Sequence, residues 1–477
     1  MNFSRRNFIR KGMTAGAALG FPTLVPSRVL GQEAPSKKVQ VGVIGCGRIA
    51  ESMDIPGVRN NKDLATIVAL SDPDMKRMRT MRERMQKLFE GDLPDVKLYP
   101  NYAEMLADPA VDAVMICTPD HWHAQQCVEA ALAKKDVYVQ KPLALSVFES
   151  RCIADVARKA GCVFHLGTQQ RSEGKGTSGP QFRKAAEYVQ DGRIGRVKRI
   201  EIGLPGEPKE PDWPLEQPVP GTFNYDLWLG CAPSAPFSEL RTHPQGKGEA
   251  ADFGRPGWMS LEDYDLGMIS NWGAHHIDIM QWALGMERSG PVKAESATEF
   301  PKRRLWDVHG KLNVRLEYAN GVSVHLADLE TYPNGVRFVG ENGWIFCSRD
   351  SVKAISADPS AGGQHGYWRP LEASAANLIE GEVTKPLTRN PGNHHRPWFE
   401  AIRARKPTNM PVETAHTSTV ACIVAYIAMK QNRPLTWDPA AERFVNDAAA
   451  NAMLTRAERA PYGVRNALTR AGWDLKG

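Results

Sequence analysis

The stretch Val39-Gln-Val-Gly-Val-Ile-Gly-Cys-Gly-Arg-Ile-Ala50 constrains this chain more than any other. Mostly β-prone apolar residues run into Gly45-Cys46-Gly47-Arg48-Ile49-Ala50, and a helix is predicted to follow. Gly45 allows the tight turn after the strand. Gly47 lets the backbone come close to a pyrophosphate, and small Ala50 lets helix and strand pack closely. The helix start then offers unpaired N–H groups and the positive end of its dipole to phosphates. A plain strand–turn–helix would give the same pattern, so the motif alone decides little. The next apolar run, Ala65-Thr-Ile-Val-Ala-Leu70, ends at Ser71-Asp72, 22 residues beyond Ala50. That is near the spacing at which a carboxylate accepts hydrogen bonds from an adenosine ribose.

At 477 residues the chain is long for one core, so two domains are expected. The net charge of +6 is localised. Residues 1–31 hold Arg5, Arg6, Arg10, Lys11 and Arg28 and no acid, so six less those five leaves +1 for the remainder. A body so close to neutral excludes nucleic acid as the expected partner. Ser4-Arg-Arg-Asn-Phe-Ile-Arg10 followed by a weakly apolar Gly/Ala stretch reads as a twin-arginine signal peptide, residues 1–31, cleaved near Val29-Leu-Gly31. Its apolar part is too short and too broken by Gly and Pro for a stable membrane span. The expected location is therefore the periplasm, or export by the twin-arginine machinery in folded form. Eight scattered cysteines without a CxxC pair predict neither a disulfide framework nor a zinc site.

Along the chain, residues 75–90 read as an amphipathic helix whose methionine stripe packs on the core. Short strands at 96–99, 111–117 and 136–139 alternate with helices at 102–106 and 124–134. That pitch predicts a parallel, doubly wound α/β sheet with ligands outside the carboxyl ends of its strands. Two of those ends stand out. Thr118-Pro119-Asp120-His121-Trp122-His123 falls where the nicotinamide half of a dinucleotide would lie. Its two histidines lack diagnostic metal spacing, and no metal is expected. Gln140-Lys141-Pro142 ends the next strand, where Lys141 is either a solvated loop cation or a donor aimed at the site. A helix at 150–159 and a strand at 162–166 close the first domain, and a Gly/Ser-rich loop spans 172–180. Residues 205–258 are rich in Pro, Gly and aromatics; a segment this long without periodicity tends to be a lid, binding loop or oligomer arm. Trp213, Phe223, Tyr225 and Trp228 could stack on a sugar or simply pack. Strands around Asn320-Gly321 and around residues 341–343 predict antiparallel hairpins. His394 and His395 start a helix, 418–430 is a strongly apolar helix, and 437–459 reads as a polar surface helix.

These pieces resemble the Gfo/Idh/MocA oxidoreductase family. The match is carried by Gly45-x-Gly47-x-x-Ala50, Asp72, Thr118-Pro119 with His121-Trp122-His123, and Gln140-Lys141-Pro142, where the family has Glu-Lys-Pro. Further on, Gly267-Met-Ile-Ser-Asn271-Trp272-Gly-Ala-His275-His276-Ile-Asp278 looks like the second signature, with Asn271 where an acid is usual. The resemblance implies a Rossmann domain at 38–166 and an α+β domain at 167–477 with a large, mainly antiparallel open sheet. The second domain would bind substrate and pair with further copies into a homo-oligomer.

The resemblance also implies roles. Lys141 polarises the substrate oxygen, His275 is the general acid/base, and Asn271 orients them. Gly45, Gly47, Arg48, Ile49, Asp72, Thr118, Pro119, His121, His123, Gln140 and Lys141 hold the cofactor. Gln170, Arg171, Trp272, His276 and Asp278 meet the substrate. Adjacent residues on a helix point about 100° apart, so His275 and His276 cannot both face one atom; the family pattern selects His275. Asp72 favours NAD over NADP because a carboxylate repels a 2′-phosphate. Outside the cytoplasm there is no free nicotinamide pool, so tightly bound NAD is expected. The leading expectation is hydride transfer at a hydroxyl of a sugar, cyclitol or glycoside. The alternatives are a glycoside hydrolase or lyase working by transient ring oxidation, and a non-catalytic sugar-binding protein, since Gln140 and Asn271 each remove a charge.

Overall fold

The apolar runs of the first part pair as β1 (Val39–Ile44), β2 (Ala65–Ser71), β3 (Lys97–Tyr99), β4 (Ala113–Ile116), β5 (Asp136–Gln140) and β6 (Phe164–Gly167). All pairs are parallel, in the order β3-β2-β1-β4-β5-β6. In that doubly wound order the crevice opens at the carboxyl ends of β1 and β4, where the chain reverses direction across the sheet. The computed structural model describes residues 38–91, 93–173, 179–246, 253–353, 367–390 and 393–473. The twin-arginine leader, its cleavage point and most of the Gly/Ser-rich loop at 172–180 lie outside the described residues.

Alternation along β1 sorts its side chains between two cores. Val41 and Val43 meet Met78, Met81 and Met85, the buried stripe of the helix Met75–Leu88, whose N-cap Asp74 accepts from the Lys76 N–H. Each methionine buried there contributes roughly 1.5–3 kcal/mol. Ile44 faces the opposite side, toward the helices Asp120–Leu132 and Val147–Ala160. The second of these starts on a capping box: Ser146 accepts from the Glu149 N–H, and its hydroxyl donates to the Glu149 carboxylate at 2.9 Å.

The second sheet comprises β7 (Val197–Leu204), β8 (Pro291–Ser296), β9 (Asn313–Tyr318), β10 (Ser323–Asp328), β11 (Gly335–Gly340) and β12 (Trp344–Cys347). A separate ribbon pairs β13 (Val352–Lys353) with β14 (Tyr367–Trp368). The large sheet is completed by β15 (Leu371–Ala373), β16 (Leu435–Asp438) and β17 (Arg443–Phe444), in the order β15-β12-β11-β7-β10-β9-β8-β16-β17. Among the described strands β7 and β10 are its parallel pair. The β9–β10 and β11–β12 hairpins form as the sequence predicts, the first through Gly321 at φ +83°. Helices Gln181–Gln190, Met268–Ala283 and Val412–Gln431 cover one face. The last is long and apolar enough to span a bilayer but is buried in this core. The other face carries charges paired within the chain, among them Lys293 with Glu317 at 2.9 Å and Arg199 with Glu201 at 2.9 Å.

Two later segments return to the first sheet. Trp398 and Phe399 of the helix Arg396–Ala404 join the Val41 side, and Val464 and Leu468 of the helix Val464–Arg470 join the Ile44 side. The stretch 437–459 is not the single surface helix its polarity predicts. Asp438 accepts from the N–H groups of Ala440 and Ala441, closing a turn around Pro439, and only Ala448–Ala452 is helical. Regular structure within 205–258 includes the five-residue α-helix Tyr225–Leu229. Phe223, Trp228, Phe237, Tyr264 and Trp306 pack there as a small core, while Trp213 stays exposed.

Candidate active site

A cleft of about 400 Å3 joins the carboxyl ends of the first sheet to the helix Met268–Ala283. Asp72 and the glycine loop line one part; Lys141, Asn271, Trp272 and His275 line the other.

The loop at the dinucleotide end is shaped by two different glycine requirements. Gly45 sits at φ +93°, and a Cβ there would come within 2.7 Å of the Cys117 carbonyl oxygen. Gly47 has an ordinary φ, and a Cβ on it would meet only the Arg77 guanidinium, at 3.8 Å. The space above Gly47 is therefore open to a ligand rather than filled by the chain. Asp72 accepts from the Cys46 and Asp74 N–H groups, both at 2.8 Å, which fixes its carboxylate at the mouth. Burial raises its pKa to about 6, against the pull of Arg77. An open glycine, a helix beginning behind it and a fixed carboxylate at the end of β2 fit a dinucleotide.

The helix behind the loop carries a surprise. Ala50–Asp54 is wound as a π-helical turn before the α-helix Ile55–Arg59, the kind of irregularity often found beside functional sites. Asp54 is fully buried and accepts from Gln140 Nε2, from His395 Nε2 at 2.8 Å and from the Cys117 thiol at 3.1 Å. Gln140 removed one carboxylate from the signature, and Asp54 supplies one against it.

The catalytic end repeats this arrangement. Lys141 Nζ donates to Asn271 Oδ1 at 3.4 Å. His275 follows Asn271 by four residues, one helical turn along the same face. Asn271 carries no charge, but two buried carboxylates act on Lys141. Burial lowers the lysine's pKa, and Asp120 and then Asp265 oppose this. Asp265 accepts from the Ser270 hydroxyl at 2.6 Å and the Gly267 N–H at 3.0 Å, and its Oδ2 has no partner. Burial pushes the pKa of His275 well below its ordinary value, with Arg349 and Lys141 adding to the effect. The imidazole is therefore neutral at neutral pH and ready to accept a proton; its Nδ1 has no protein partner.

Of the expected cofactor residues, Gly45, Gly47, Arg48, Ile49, Asp72, Thr118, Pro119, Gln140 and Lys141 line the cleft. His121 and His123 do not. The helix they begin turns Asp120 and Trp122 to the cleft instead. His121 Nε2 meets the Trp228 carbonyl at 3.1 Å. His123 lies between the Pro142 carbonyl at 2.7 Å and the Thr118 carbonyl at 3.1 Å. Neutral imidazole has one N–H, which goes to the nearer Pro142, so His123 ties the two cleft turns together. Among the expected substrate residues only Trp272 lines the cleft. Arg171 and Asp278 are consumed by each other in a buried two-pronged pair at 2.7 Å for both contacts. His276 turns to Asn334 at 3.0 Å. Gln170 donates to the His275 carbonyl at 3.1 Å and accepts from Arg349 Nε at 3.2 Å, so it supports the cleft from behind. The residues missed by sequence reasoning are Asp54, Asp120, Asp265 and Arg349. Asp120 and Asp265 stand beside recognised motifs; Arg349 reaches the cleft from the distant turn after β12.

Comparison with known proteins accounts for most of the chain. The profile of an oxidoreductase family with an NAD-binding Rossmann fold matches residues 39–168, and that of the same family's C-terminal α/β domain matches 213–354 and 372–464. The chain is 28% identical over 238 residues to the oxidoreductase YrbE of Bacillus subtilis, covering 49% of this chain and 64% of that one. It is 31% identical over 176 residues to myo-inositol 2-dehydrogenase of Thermotoga maritima, covering 36% of this chain and 47% of that one. The aligned regions thus span about half to two thirds of these relatives. Among solved structures, the WlbA dehydrogenase of Bordetella pertussis, in complex with NADH and UDP-GlcNAcA, superposes with a TM-score of 0.58 at 16% identity, over 84% of this chain and 99% of that one. Aldose-aldose oxidoreductase of Caulobacter crescentus gives 0.56 at 17%, over 84% and 100%. At such identities the likeness is one of fold.

Proposed function

The chain belongs to the Gfo/Idh/MocA family of NAD-binding oxidoreductases acting on CH–OH groups, and we propose that its substrate is a sugar or cyclitol hydroxyl. The observation that carries this reading is that Lys141, Asn271 and His275, from distant parts of the chain, converge on the cleft that also holds the glycine loop and Asp72.

Bound nicotinamide supplies the hydride acceptor. The chain's own residues do the rest. Lys141, held by Asn271, donates a hydrogen bond to the substrate oxygen and steadies negative charge that develops there. Neutral His275 takes the hydroxyl proton, a role for which its lowered pKa suits it. His123 and the Asp54–Gln140 pair hold the Thr118 and Lys141 turns in register. Gln140 and Asn271 do not argue for a dead site, because Asp54 and Asp265 place carboxylates beside the neutral amide at 140 and the lysine at 141.

The leader supports export through the twin-arginine route with NAD already bound, giving a periplasmic enzyme that keeps its cofactor. A homo-oligomer docked through the outer face of the second sheet would use polar contacts, since the charges there are already paired. The test is to release and identify the nucleotide from purified protein, then supply sugars, cyclitols and aryl glycosides with NAD. NADH accumulating on a free sugar or cyclitol supports the dehydrogenase. Aryl alcohol released without net NADH would replace it with glycoside cleavage through transient oxidation. Lys141→Ala should abolish turnover while NAD stays bound.

A further inference from the structure

Lys141 and Arg349, two of the basic residues that line the cleft, are compensated differently. Lys141 has Asp120 and Asp265 acting on it. Arg349, at the turn after β12, lines the same cleft and forms no ion pair among the described residues; the nearest carboxylate to influence it is its exposed chain neighbour Asp350. Its guanidinium carbon lies 4.6 Å from the ring centroid of Trp272, and its Nε donates to Gln170 at 3.2 Å. The indole face and one amide therefore hold the fork in place, leaving its terminal N–H groups for whatever enters the cleft. Trp272 and Arg349 stand beside His275 in the lining. A half-buried guanidinium fixed this way, with no facing anion, is costly unless the ligand brings one.

We propose that the substrate is a sugar acid, and that Arg349 binds its carboxylate while Lys141 and His275 act on a hydroxyl of the same molecule. This rests on the reading of the site as a sugar or cyclitol oxidoreductase and names its substrate class. A single planar fork matches a carboxylate through two parallel hydrogen bonds. A sugar phosphate is the competing anion, since Arg48, Arg77 and Arg255 also line the cleft; the planar fork of one guanidinium on Trp272 is matched in shape by the carboxylate.

The experiment is calorimetric titration of the full-length, NADH-loaded protein with D-glucuronate, D-galacturonate and D-gluconate, set against D-glucose, myo-inositol and D-glucose 6-phosphate. At least one acid should bind about tenfold or more tighter than the neutral compounds, the scale of a charge-assisted pair. Arg349→Gln should erase that preference while NADH affinity is kept; Arg349→Lys, which keeps charge but loses the fork, should retain part of it. Neutral compounds binding as tightly as every acid, the sugar phosphate binding best, or Arg349→Gln retaining the preference would overturn the proposal. Binding is read without turnover, so failure of the oxidoreductase reading shows separately as absence of NADH formation in the turnover assay.

Discussion

The side-chain amide of Gln140 donates to both carboxylate oxygens of Asp54, at 2.9 and 2.8 Å, with both side chains buried. The pair works only as amide against acid. Gln140→Glu would set two carboxylates face to face and should lower the unfolding free energy by roughly 2–4 kcal/mol at neutral pH. One acid of that pair would have a raised pKa in the folded protein, so the deficit should shrink at low pH, where it is protonated, and reach full size above that pKa. The double variant Asp54→Asn with Gln140→Glu reverses the pair and should recover most of the loss in urea unfolding. A double variant no more stable than the single one would show that the exchange is not what holds this turn.

The neutral state of His275 has a kinetic consequence. A base whose pKa is pushed below its ordinary value stays active further into acid. The acid limb of the kcat/KM profile should therefore fall below about 6.5, the usual histidine value. Lys141 is lowered from 10.5, so the alkaline limb should lie below the ordinary lysine value. His275→Ala should lose the acid limb and about 100- to 10,000-fold in rate. An acid limb at or above 6.5 in the native enzyme would remove the argument for His275 as a neutral base.

Asp265 is a second route to the same lysine. Its carboxylate favours the charged form of Lys141 from a fully buried position. Asp265→Asn keeps an acceptor for Ser270 and Gly267 but removes the charge. The alkaline limb should move down by roughly one pH unit. An unmoved limb in a folded variant would mean that Asp120 alone sets the lysine's charge state.

The buried histidines should make the fold acid-sensitive. Burial drives the pKa of His121 to about 3, and of His123 and His276 to about 4. Between about pH 6 and 4 the unfolded chain takes up three protons that the folded one refuses. Asp72, raised to about 6, works the other way by one proton. His243, His309 and His394 shift the same way and Glu207 the opposite way, so these histidines outnumber these raised acids and stability should fall as pH drops through that window. Thermal unfolding at pH 5 and pH 7.5 measures this. Equal Tm values would contradict neutral burial of these rings.

Much of the fold was legible because it rests on local pattern: apolar runs of strand length, the methionine stripe at 78, 81 and 85, and the glycines at 45 and 321 where backbone sign matters. The site was legible only where a motif binds a residue to its neighbours. Asp72, Lys141 and His275 reach the cleft because strand ends and a helix face put them there. His121 and His123 do not line the cleft because the helix begins at Asp120, four residues before the start its pattern predicts, and that phase decides which side chains face inward. Arg171 and Asp278 lie off the cleft lining for another reason: each is the other's partner across more than a hundred residues. Arg349 and Asp54 carry no local signal at all, being brought in by strand order and by a π-turn.

Gly47 separates cofactor binding from folding. Its φ is ordinary, and a Cβ there would meet only the Arg77 guanidinium, at 3.8 Å. Gly47→Val should therefore leave the Tm of nucleotide-free protein within a few degrees of the parent. The same branched side chain would occupy the space over the loop that a pyrophosphate needs, so NAD affinity should fall at least about 100-fold. Gly45→Ala makes the contrast, because its φ of +93° and the Cys117 carbonyl at 2.7 Å put strain into the fold itself. That variant should lose stability, by roughly 1–3 kcal/mol. Measured together by thermal shift and NADH fluorescence titration, the two glycines should divide cleanly. A Gly47→Val protein that still binds NAD as tightly would move the cofactor off this loop and with it the orientation of the whole site.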